Sequence, residues 1–208
     1  MSRTPLQNRV NPFGIIHTHP ARGILMGNRG IIHDPKTRTL LKRRWTTKAW
    51  IICLCRFKGR RRAVMGPNSY TELFFLDEAT ALSAGHRPCF ECQRARATAF
   101  ARTFMKANGL DTATAPAIDR ILHAERLARP RPAISDQTVR GLPDGSFVAS
   151  DDEAYLVTNG RLCRWSFDGY DAPADIRREH YVLLTPASTV RTLAAGYRPE
   201  FHPNATAA

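Results

Sequence analysis

The sequence predicts an α+β protein with a small antiparallel N-terminal lobe pinned by cysteines, a helical middle and a C-terminal β-hairpin layer. Three observations predict it. Short apolar pairs alternate with Gly, Pro, Asn and His over the first 35 residues, which is strand-and-turn patterning. Two Ala- and Arg-rich stretches in the middle space their apolar residues by three and four. Asn159-Gly160 then separates two alternating runs, the strongest hairpin signal in the chain. A length of 208 residues fits one domain, or one with a smaller lobe, and a hydrophobic fraction of 43% argues against wholesale disorder.

Taken in order, Ile15-Ile16, Ile24-Leu25 and Ile31-Ile32 mark short strands between tight turns. "TKAWIICLCRFKGR" is the clearest strand, because β-branched and aromatic residues dominate it up to a turn at Gly59. "YTELFFL" is a second. Residues 77–85, "DEATALSAG", form a short helix with Asp77 as N-cap and Gly85 as its stop. "CQRARATAFARTFMKANG" continues as a helix with Ala97, Phe100 and Phe104 on one inward face. "PAIDRILHAERLARP" is opened by Pro116 and ends before Pro130. Residues 130–145 read as a Pro-rich connection, and "SFVAS" with "EAYLVTNGRLCRWSF" supplies the hairpin layer. A strand "YVLLT" and a helix "ASTVRTLAAG" finish the ordered part, and residues 204–208 are expected to fray. Residues 1–110 make a basic, cysteine-bearing region, and residues 111–208 a helix-plus-hairpin region packed on it as one compact unit.

The net charge of +13 is unevenly placed. Residues 1–65 carry 15 Lys and Arg against one acid, Asp34, whereas the remainder carries 16 bases and 17 acids. All of the excess therefore sits in the first third, as expected of a cationic surface aimed at a polyanion, with nucleic acid the first candidate. Lys42, Arg43, Arg44 and Trp45 precede the cysteine strand, and Arg56, Lys58, Arg60, Arg61 and Arg62 follow it. These are the candidate nucleic-acid contacts: the bases neutralise phosphates, and an exposed Trp45 stacks on an unpaired base. Trp50 is expected in the core. No secretory h-region and no long apolar stretch is visible, which points to the cytoplasm and to no membrane partner.

Five cysteines fit a reducing compartment better than a disulfide framework. Cys89 and Cys92 have the loop spacing of a zinc knuckle, behind a Gly and a Pro that stiffen the approach. Cys53 and Cys55 alternate on the predicted strand, so both are expected on one face. Together they predict a four-thiolate zinc site, which makes the N-terminal lobe zinc-stapled. Cys163 is read as structural. A short internal repeat, "ATALSAGHRPC" and "VRTLAAGYRPE", sets Tyr197 in the place of His86. The Gly-His-Arg-Pro segment thus needs only a helix-stop explanation, and the cysteines are additions to it.

The stretch "YTELFFLDEATALSAGHRPCFEC" resembles the second half of the Ada-type zinc-binding domain of methylphosphotriester-DNA repair proteins, over roughly residues 45–95. The chain as a whole resembles an uncharacterised bacterial protein family. The first resemblance implies Cys89 and Cys92 as zinc ligands, with Cys53 and Cys55 as the upstream pair. It also implies DNA as the partner, favoured over RNA. Here the upstream cysteines stand one residue apart, where the family separates them by three. That difference bears most on the family's alkyl transfer to an upstream cysteine.

Asp119 and His123 are four apart on a predicted helix, so they share a face, the minimal unit of general acid–base catalysis. Asp–His pairs on solvated helix faces are also common and inert. His17, His19 and His33 lie among glycines near the basic segments, where imidazoles bind a metal or phosphate or simply add donors. No P-loop, dinucleotide fingerprint, H-E-x-x-H or G-x-S-x-G motif occurs. The expectation is a nucleic-acid-binding zinc protein acting on DNA in repair or processing. The alternatives are an Ada-like sacrificial alkyl acceptor and a non-enzymatic regulatory or RNA-associated module.

Overall fold

The computed structural model describes residues 4–59, 63–67, 69–112, 114–176 and 180–205. Its first half contains β1 (Gln7–Val10), β2 (Ile16–Thr18), β3 (Leu25–Asn28), β4 (Ile51–Leu54), β5 (Leu73–Phe75), α1 (Glu78–Ser83), β6 (Arg87–Pro88) and α2 (Arg94–Ala107). Its second half contains α3 (Ala115–Leu127), β7 (Ala133–Ser135), α4 (Asp136–Arg140), β8 (Phe147–Ser150), β9 (Glu153–Thr158), β10 (Arg161–Ser166), β11 (Gly169–Tyr170), β12 (His180–Leu183) and α5 (Ala187–Ala194). The fold is mixed α and β, built on two six-stranded sheets ordered β2-β1-β5-β3-β4-β6 and β11-β10-β9-β8-β12-β7.

The first sheet is not purely antiparallel as expected. β1 runs parallel to β5, and β4 parallel to β6. Neither pair is joined by a hairpin: β5 and α1 intervene between β4 and β6, and such a crossover returns the chain in the same direction. Asp77 caps α1 through its side chain, which accepts from the Thr80 amide at 2.9 Å. Gly85 stops the helix at φ +81°. Its amide donates to Leu82 O and that of His86 to Ala81 O, a Schellman closure that aims the chain at β4. The second repeat closes α5 the same way, with Gly196 donating to Leu193 O and Tyr197 to Thr192 O.

In the second sheet, Asn159 and Gly160 both take positive φ in the β9–β10 turn, the type I′ geometry of a tight hairpin. The 130–145 stretch holds more structure than its prolines suggest. β7 pairs with β12, and Ser135 caps α4 by accepting from the Thr138 amide. One core packs the first sheet against α2, α3 and α5 through Phe75, Leu82, Phe100, Phe104, Leu122 and Leu193. A second joins Ala79 of α1 to Phe147, Leu156 and the buried Cys163. The C-terminal segment returns to α1: Tyr197 Oη donates to Glu78, the Glu200 amide to Glu78 and the His202 amide to Asp77. Asn204 hydrogen-bonds both polar backbone groups of Tyr170, so residues 204 and 205 are held where fraying was expected.

Candidate metal centre

The parallel pairing of β4 with β6 decides the site. Ile51 stands opposite Arg87 and Ile52 opposite Pro88, so the next residue along each strand brings Cys53 beside Cys89. The Cys89 amide donates to Ile52 O at 2.9 Å, and Gln93 reaches the same carbonyl with its side chain at 2.9 Å. Gln93 is also the N-cap residue of α2, so the knuckle turns directly into the helix. The sulfurs of Cys53, Cys89 and Cys92 all lie within 4.8 Å of one another. Backbone amides donate to two of them: Glu91 to Cys89 Sγ at 3.3 Å and Leu54 to Cys92 Sγ at 3.4 Å.

The thiols are electrostatically interdependent. Cys53 holds its proton far more tightly than a free thiol, first because its S–H donates to Cys89 and Cys92 and then through burial. That donation lowers both partners. A divalent cation would take the place of the shared hydrogen bonding and hold all three sulfurs at once. Zinc–sulfur bonds of about 2.3 Å place tetrahedral sulfurs roughly 3.8 Å apart, which the observed spacing accommodates. The donor set fits a thiophilic ion.

Cys55 is not part of this cluster. β4 ends at Leu54, so strand alternation no longer governs the next side chain. Cys55 is exposed and its thiol points to Ile24 O at 3.4 Å. Partial desolvation by its neighbours raises that thiol despite the exposure of the residue, against the pull of Arg22 and Arg56.

Asp119 and His123 share an inward face and do not pair with each other. Both Asp119 oxygens accept from Arg87, Nε and Nη2 each at 2.8 Å. His123 packs its ring edge-on against Trp45, with centroids 4.6 Å apart, and its Nδ1 faces Arg126. The Arg87–Asp119 fork ties β6 to α3, two residues before Cys89, so Asp119 positions the cysteine loop. Their helix face is buried, not the solvated face on which inert pairs are common.

No protein-family model, curated protein or solved structure matches this chain. Its own geometry is therefore the guide. Lys42, Arg43, Arg44, Trp45, Arg56 and Lys58 are all exposed. The first four lie near the Asn28–Ile51 end of the β3–β4 pair and the last two beyond its Leu25–Leu54 end. Arg60, Arg61 and Arg62 lie outside the described residues. Trp50 is in the core as expected: the guanidinium groups of Arg29 and Arg126 stack on its indole at 3.9 and 4.1 Å. Burial lowers Arg29 to about 9, and burial together with Arg29 and Arg126 keeps the fully buried His86 neutral. His17 and His19 do share a face, which clasps Phe167. His33 is spent on Thr71 and Gly66.

Sequence reasoning did not find the cavity of about 150 Å³ that the cysteine cluster adjoins. Its lining draws on β3, β4, β5 and the 55–72 segment, and no single motif spans those elements. No helix among the described residues is long and apolar enough to cross a membrane.

Proposed function

We propose that the chain is a nucleic-acid-binding zinc protein acting on DNA in repair or processing, with Cys53, Cys89 and Cys92 holding the ion. The observation that carries this reading is the three-cysteine cluster standing next to exposed bases of the cationic first third. A bound ion of this kind ties β4, β6 and the start of α2 together and draws its neighbouring groups toward the ionised, liganding state. The protein's residues do the rest. Arg87 and Asp119 hold the loop in place, the two amide donors aim the sulfurs, and Arg56 and Lys58 offer charge to a phosphate backbone. The preference for DNA over RNA follows from the Ada-type resemblance. Asp119 has no acid–base role in this reading, because both of its oxygens are engaged by Arg87.

Elemental mass spectrometry of the purified chain is the first test. About one zinc per chain is expected in the native protein and in Cys55→Ser, and its loss in Cys89→Ser; equal loss in both variants would make Cys55 a ligand after all. Duplex binding followed across a salt series is the second. Affinity should fall steeply with salt, and the combined Arg60→Ala, Arg61→Ala and Arg62→Ala variant should flatten the slope by about one per residue that contacts a phosphate. Binding indifferent to salt would end the nucleic-acid reading.

A further inference from the structure

The cavity beside the cysteines has a shape and a rim that suit one kind of guest. Its apolar walls are Met26, Ile51, Phe57, Val64, Tyr70 and Phe74. Five of these six are only half-buried. An apolar cavity of about 150 Å³ holds a guest the size of one benzene ring. A pyrimidine ring is of that size.

Bases gather at the rim and just beyond it. Arg22 is exposed, with its guanidinium 4.2 Å from the Phe74 ring centroid. Arg56 and Lys58 are exposed on either side of Phe57, in the turn that carries it. Glu91 stands exposed at the edge, and Glu72 adds a buried carboxylate to the interior. Glu72 is fixed there by the Met65 amide at 2.7 Å. The Glu72 carboxylate disfavours a phosphate within the cavity, while the exposed bases Arg22, Arg56 and Lys58 outweigh Glu91 and attract one to its mouth. A flat ring joined to an anion, ring inward and anion outward, matches both halves of that pattern. An aromatic side chain of a peptide would use the ring slot and leave the bases at the rim unmatched.

We propose that this cavity receives one unpaired pyrimidine base of a nucleic-acid strand. Phe57 and Tyr70 provide ring surface to it, and Arg22, Arg56 and Lys58 meet the phosphates on either side. This rests on the nucleic-acid reading above and narrows it: a base within a duplex reaches such a cavity only after unstacking, so the site favours single-stranded or unpaired substrate.

The test is fluorescence anisotropy with a short labelled strand of mixed cytosine and thymine, alone and as its duplex, at several salt concentrations. The native protein is compared with Val64→Trp, which fills the cavity, and with Phe57→Ala, which removes a wall. The native chain should bind the strand about ten-fold more tightly than the duplex, within what one stacked base contributes. Either variant should lose about that factor for the strand alone and keep the native salt slope. Zinc content and melting temperature check that each variant is folded, and Phe57→Ala decides if the larger tryptophan disturbs the fold. Salt-dependent binding with no strand preference, or with strand affinity unchanged in the folded variants, overturns the base-binding cavity and leaves the nucleic-acid reading standing. Absence of salt-dependent binding to either form overturns both.

Discussion

Asp119 illustrates how a residue's chemistry depends on which neighbour claims it. Four residues separate it from His123, so the helix sets both on one side, but Arg87 arrives from β6 and takes both carboxylate oxygens. Removing that carboxylate would leave Arg87 buried without a counter-charge. Breaking one side of a buried ion pair costs about 3–5 kcal/mol. Asp119→Ala is therefore expected to lose about that much in denaturant unfolding and to weaken the proposed zinc binding, because Arg87 aligns the Cys89 loop. A loss under about 1 kcal/mol would show that the pair contributes no more than an exposed salt bridge. Cys55 makes the same point from the other side. Its spacing from Cys53 is right for a shared strand face, but the strand stops one residue too soon.

At the scale of an element, the two helix stops share a backbone closure and differ in what surrounds it. Gly85 and Gly196 have φ of +81° and +104°, where an alanine is strained by about 1–2 kcal/mol. Nothing lies within 4 Å of a β-carbon built at Gly196. One built at Gly85 meets Arg126 Cδ at 3.1 Å, and Arg126 cannot withdraw freely because it donates to Gly85 O at 2.7 Å and Lys48 O at 2.6 Å. Gly85→Ala should thus be more destabilising than Gly196→Ala by about 1–3 kcal/mol, the usual cost of overpacking. Equal effects in thermal unfolding would show that Arg126 yields without cost. The repeat was legible in the letters alone, since Ala-Gly, an aromatic or His, Arg and Pro recur in the same order. The use of its first copy to deliver cysteines to β4 was not legible, because that depends on a parallel pairing of residues 36 positions apart, Ile51 with Arg87 and Ile52 with Pro88.

At the scale of the whole molecule, the C-terminal segment completes the middle of the fold. Glu78 accepts from Tyr197 Oη and the Glu200 amide, and Asp77 from the His202 amide, and both carboxylates are buried. Hydrogen bonds to charged groups contribute about 1.5–3 kcal/mol each. Three of them are a large part of a typical stability of about 5–15 kcal/mol. Deleting residues 197–208 should abolish native near-ultraviolet circular dichroism at room temperature, whereas an intact spectrum with an unchanged melting temperature would show the segment to be an accessory.

By itself the sequence determined the mixed α and β class, the β9–β10 hairpin, both helix stops, the core face of α2, the burial of Trp50 and the placement of charge. Each is a local matter of side-chain period, of a glycine's access to positive φ, or of composition. Tertiary structure alone decided that β1 and β4 take parallel partners, that β7 and α4 exist, that three cysteines converge while Cys55 does not, and that they open onto a ring-sized cavity. These depend on strand register and on contacts between residues far apart in the chain. No short window of sequence encodes such contacts, because their free energy appears only once the elements have packed.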